Sequence, residues 1–212
     1  MHADDVRGSA AADPAPHQVL PAAPAAGGLR DCQAMRTDDF WQLIDRARAG
    51  GGGEADAVAA RAVALLAERD PADIVGYAHH QRRVLAASHT VDLWGAAYLI
   101  NGGASDDGFE YFRGWLMAQG RAVFARAVAD PDSLAELPQI RAAALSGEEF
   151  ESEDMLAVPW EAYRKATATD LPADRDPVAV PDLNDFWDFD DEEEARRRLP
   201  RLAALFVEPP EE

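Results

Sequence analysis

Residues 91–116 read VDLWGAAYLINGGASDDGFEYFRGWL, and this stretch decides the fold class. Val91 to Ile100 is apolar almost all round, the pattern of a helix buried on every side. Asn101-Gly102-Gly103 supplies a left-handed stop. Ser105 offers an N-cap, and Asp106 and Asp107 suit the positive first turn of a new helix. Behind them Phe109, Phe112 and Leu116 recur at helical spacing. The stretch therefore predicts a central helix, a tight corner and an amphipathic helix.

The same pattern extends in both directions. Upstream, Thr37 can cap a helix that carries Phe40, Leu43, Ile44 and Ala47 on one face and ends at Gly50 to Gly53. An alanine-rich helix over Glu54 to Glu68 follows, with Val58, Ala62, Leu65 and Leu66 on one side. Asp70-Pro71 reads as an N-cap followed by proline at the first helical position, opening a helix to about Ser88. Downstream, Gly120 reads as a break or a continuation, and Asp130-Pro131 as a turn into short helical pieces. A helix from about Glu153 to Thr167 and a charged helix over Asp190 to Phe206, interrupted at Pro200, complete the chain. Strand alternation and useful internal repeats are missing from the sequence. The expected fold is all-α, a compact single domain of about seven or eight helices with a disordered N-terminal tail. Its expected organisation is an Ala/Pro/Gly-rich tail over 1–35, a helical core over 36–172, and a proline-rich loop with an acidic helical segment over 173–212. Met35 reads as a natural start.

The net charge of −19 over 212 residues disfavours nucleic acid and anionic membrane surfaces as partners. Basic proteins or peptides fit such a surface better. Cys32 is the single cysteine, so an internal disulfide is excluded. No apolar run has the length of a membrane helix, and the first residues lack the pattern of a signal peptide, so the cytoplasm is the expected compartment.

Five segments together resemble a known family: TDDFWQLID from Thr37, DLWGAAYLINGG from Asp92, SDDGFEYFRGWLMAQGR from Ser105, DPDSLAEL from Asp130, and VPWEAYRKATATDLP ending at Pro172. They are similar to the bacterial family called domain of unknown function 4240, over about residues 37–172. The resemblance implies a helical bacterial domain. It carries no activity, and it marks SDDGFEYFRGWL as the signature.

On a helix, Asp106, Glu110 and Arg113 share a face, with Glu110 and Arg113 spaced for an ion pair. In the plainer reading these are a cap, two first-turn acids and a surface pair. In the functional reading Asp106, Asp107, Glu110 and Arg113 face a ligand, the guanidinium orienting an anionic group while the acids hold a cation or a basic group. Contiguous acids do not match a calcium loop of the EF-hand type. His79 and His80 diverge on a helix, and no His-Glu-x-x-His pattern occurs, so no metal ligands and no cofactor are assigned. His89 and Asp92, three residues apart, can meet at a turn. His80 shares a face with Asp73 and Tyr77. Trp41, Trp94, Trp115 and Trp160 read as core. Trp187 lies in DFWDFDDEEE (Asp185 to Glu194), which either folds back on the domain or docks into a basic, apolar groove of another protein.

The candidate ligand-binding or interaction residues are therefore Asp106, Asp107, Glu110, Arg113, Asp92, His89 and Trp187. The favoured function is a protein-interaction or regulatory module for a basic protein or peptide. The alternative is a metal-assisted hydrolase or small-molecule-modifying enzyme with an acidic pocket around Asp106, Asp107 and Glu110, and His89 or His80 as acid or base. A homodimer through Tyr111 and Trp115 is a third reading. Burial separates them: catalytic acids line a concavity, interaction acids lie on an open face.

Overall fold

Every regular element among the described residues is a helix, as the apolar periodicity requires. The computed structural model describes residues 35–50, 53–173 and 177–207, all within the compact unit Gln33–Glu212. The expectation of a disordered tail falls on residues outside this set, Met35 excepted. The α-helices are α1 Thr37–Ala49, α2 Ala55–Ala67, α3 Pro71–Ala87, α4 Val91–Asn101, α5 Asp106–Ala118, α6 Arg121–Ala129, α7 Pro138–Ser146, α8 Glu153–Thr167, α9 Glu192–Arg198 and α10 Pro200–Phe206. One 3-10 helix, η1, spans Pro131–Glu136. The described residues thus hold eleven helices against the seven or eight expected, because proline starts four of them and splits what periodicity reads as longer pieces.

The corner in the opening stretch forms as its residues dictate. Thr90 caps α4 by accepting from Leu93 N, and Gly102 ends it at a φ of 67°. Ser105 caps α5 by accepting from Gly108 N at 3.1 Å. Phe109, Phe112, Trp115 and Leu116 are all buried. Thr37 is not the cap of α1. Arg36 takes that position, and its backbone N–H donates to Asp39 Oδ2 at 3.2 Å.

α8 is central to one half of the core, packed on α2, α3 and α5. A Cβ at Gly114 of α5 would lie 2.2 Å from the carbonyl oxygen of Ser152, so only glycine permits this crossing. The close approach lets Ser152 N donate to Tyr111 O at 3.0 Å. Ser152 Oγ accepts from Met155 N, capping α8, and donates to Asp56 Oδ1 on α2 at 2.7 Å. Asn101, at the end of α4, grips Phe150 by both its amide and its carbonyl.

α4 organises the other half, packing on η1, α5, α7 and α10. The segment after the proline-rich loop lies across it. Trp187, 6% exposed, covers Gly95, where a Cβ would sit 2.4 Å from the indole. Phe189 packs beside Trp94 and Tyr98, and Tyr98 donates to Asp190 at 2.6 Å. Asp132 in η1, itself buried, accepts from the backbone N–H groups of Arg201 and Leu202 at 2.9 and 2.8 Å, and from Arg201 Nε at 2.9 Å. It serves as the first-turn anion that α10 lacks in its own sequence. No described helix is long and apolar enough to cross a membrane.

Candidate functional site

Six of the seven candidate residues fall into two separate places. Asp106, Asp107 and Glu110 are exposed on the first turns of α5. None of them lines a described cavity, and no group of three or more His, Cys, Asp or Glu among the described residues is placed to hold a metal ion. The three acids thus stand on an exposed face among the described residues, where the alternative reading has them line a pocket.

Arg113 leaves that face altogether. Its guanidinium is buried, donates from Nη1 to Leu85 O at 2.9 Å, and lies 4.6 Å from the Phe109 ring centroid. It satisfies a carbonyl near the end of α3, and burial lowers its pKa. Among the described residues it forms no ion pair with Glu110, so the expected surface pair is corrected. A long side chain on an apolar neighbour can curl inward because its stem is hydrocarbon and its head finds a carbonyl.

What replaces Arg113 on the acidic face is Tyr111. This half-buried phenol has its pKa raised by the charges of Glu153, Asp107, Glu110 and Glu151, with burial as a further cause. Glu151 and Glu153 come from the start of α8, held there by the Gly114 crossing. A Cβ at Gly108 would stand 3.4 Å from Glu151 Oε1. Burial and the neighbouring Glu149 raise the pKa of Glu151. Among the described residues, none of the four carboxylates around Tyr111 is in an ion pair.

His89, Asp92 and Trp187 gather at the second place. His89 and Asp92 both line a cleft of about 490 Å³ between the α3–α4 corner, the end of α6 and the loop Pro181 to Asp185. They do not bond each other. His89 Nδ1 meets Pro181 O at 3.2 Å, with its ring stacked on Phe109. Asp92 Oδ1 accepts from Trp187 Nε1 at 3.2 Å and from Arg198 Nη1 at 3.1 Å. Arg198 lines the cleft as well and lies over the Trp187 ring. Glu194 pairs with Arg197 and Arg198, which hold its carboxyl below the usual range. Asp185, at a φ of 60°, turns the loop at the cleft edge. Trp187 thus folds back on its own domain.

Three further expectations are corrected. His80 meets the carbonyl of Met35 rather than Tyr77 or Asp73, and the buried Tyr77 hydroxyl has no partner among the described residues. Trp160 is 44% exposed and is not core. Trp115 is buried against Phe112 and Phe150, so it cannot form an outer dimer surface with Tyr111. Sequence reasoning missed Arg198, Glu151 and Glu153 as site members. The Glu-rich, Arg-rich run of α9 was a visible signal for the first. Nothing local points to the other two, which tertiary packing brings to α5.

No curated protein and no solved structure matches the chain. Residues 35–165 match the family described as Protein of unknown function (DUF4240), and the chain, with its capped α5 signature inside that span, belongs to this family.

Proposed function

We propose that the chain is a protein-interaction module whose acidic α5–α8 face takes a basic segment of a partner protein. The observation that supports this reading is Tyr111, half-exposed among Asp107, Glu110, Glu151 and Glu153, with none of these acids paired to a base among the described residues. A ring beside unpaired carboxylates offers an arginine both a π face and charge-assisted hydrogen bonds. The net charge of −19 steers cations toward the molecule.

The test is fluorescence anisotropy of a labelled arginine-rich peptide titrated with the full chain. Binding is expected to saturate and to weaken with salt. Replacing Asp107, Glu110 and Glu153 by their amides, with Tyr111→Ala, should cost roughly tenfold or more in affinity. Neutralising Asp73, Glu161 and Asp170 instead should leave it nearly unchanged. Equal losses in both variants would mean that overall charge, not this face, attracts the peptide.

A second reading attaches to the cleft, because an imidazole, a carboxylate and a guanidinium share its wall in His89, Asp92 and Arg198. There the chain would hold a small polar molecule. Native mass spectrometry of the protein as purified, followed by Arg198→Ala, checks it: a retained mass lost in the variant supports the cleft, and a mass retained by both places the molecule elsewhere.

A further inference from the structure

A groove of about 390 Å³ runs between α1, α3 and α6. Its walls are apolar: Trp41, Val84, Phe124 and Val128, with the Trp41 and Phe124 rings 5.2 Å apart. Arg83, Arg121 and His80 supply its charged or titratable lining. No carboxylate lines it, in a chain where 39 acids face 20 lysines and arginines. Arg121 is engaged by Asp38 at 2.6 Å, and the His80 ring by the Met35 carbonyl. Arg83 is exposed and has no ion-pair partner among the described residues.

We infer that this groove is a binding site for a small amphiphilic carboxylate, its apolar body laid against the contacting rings of Trp41 and Phe124 and its carboxylate on Arg83. The volume is that of sites for small organic ligands, and the lining has their usual make-up, apolar walls with a few polar groups that fix orientation. Charge complementarity selects the ligand. A cation gains nothing where every charge is positive. A neutral body would fill the walls but leave Arg83 unanswered. The global field of an acidic protein repels an anion, so binding must come from direct contact with the guanidinium. This site shares no residue with the acidic face; it adjoins the cleft of His89 and Asp92 through Ala87 and Val128 but contains neither of those two side chains.

Isothermal titration of the full chain with octanoate, 4-phenylbutanoate and 1-octanol tests it, with tryptophan emission followed in parallel. Both acids are expected to bind saturably with dissociation constants of roughly 1 mM or tighter, and octanol at least about tenfold more weakly. Arg83→Glu, at an exposed position, should weaken both acids at least about tenfold and bring octanoate to the level of octanol, with the melting temperature unchanged. Ala125→Trp, also exposed, should block all three probes by filling the groove. Octanol binding as tightly as octanoate, an unchanged octanoate affinity in Arg83→Glu, or saturable binding of neither acid would each overturn the site.

Discussion

Two segments of this chain combine aromatic and acidic residues, and the fold uses them in opposite ways. In the first turns of α5, Asp106, Asp107 and Glu110 stand in solvent, the latter two beside Tyr111, with no base paired to them among the described residues. In the C-terminal segment, Asp190 takes a hydrogen bond from Tyr98, and Glu194 meets Arg197 and Arg198. Arg198 in turn bonds Asp92, which also holds the Trp187 indole. The residue types match; their neighbours differ. Where arginines lie within reach, the acids become part of the fold. Where the nearest arginine, Arg113, turns inward to a carbonyl, the acids stay unpaired and available.

The largest expected break in this contrast is Trp187→Ala, at a destabilisation of about 3–5 kcal/mol, since it empties a buried indole site over Gly95. Denaturant unfolding measures it, and a loss under 1 kcal/mol would mean that the segment does not hold α4 in solution. Asp132→Ala should cost about 2–3 kcal/mol, because two N–H groups of α10 and the half-exposed Arg201 lose their acceptor together. Asp92→Asn, at a half-exposed site with two donors, should cost about 1–2 kcal/mol.

Acid sharpens the contrast further. Glu194 is held below its ordinary pKa of 4.5 by hydrogen bonds from Arg197 and Arg198. A carboxyl with a depressed folded pKa gives stability that is complete above its unfolded pKa and lost as pH falls through the folded one. The C-terminal segment is therefore expected to loosen as pH drops below about 4.5. The readout is a red shift in the emission component missing from Trp187→Phe, and Glu194→Gln should flatten that part of the profile. The smallest effect belongs to Glu110→Gln, within about 0.5 kcal/mol of wild type. A loss near that of Asp92→Asn would show that the acidic face is structural and would erase the contrast.

Much of the fold was legible. The buried α4, the left-handed stop at Gly102, the Ser105 cap and the span Glu153–Thr167 follow from periodicity and capping, which are local. The candidate site was legible in part. His89 and Asp92 were named from a spacing of three residues and do share a cleft, although each bonds elsewhere. Arg113 was assigned to the acidic face because helical geometry puts it there, and a carbonyl of α3 drew it inside. Tyr111 gained its carboxylates from α8, across the Gly114 crossing.

The sequence by itself determined the helical class, most helix ends and the excess of negative charge, because hydrophobic period, caps and composition act over a few residues or need no geometry at all. Helical spacing also places local pairs such as Glu194 with Arg197 and Arg198, while tertiary structure alone decided the long-range ones, such as Asp92 with Arg198 and Asp132 with Arg201. Such a long-range pair depends on what a distant element brings within about 4 Å. Gly95 and Gly114 set those approaches, Gly95 by admitting the Trp187 indole and Gly114 by admitting the Ser152 carbonyl. The missing Cβ is visible in the sequence, but the atom that fills its place is not.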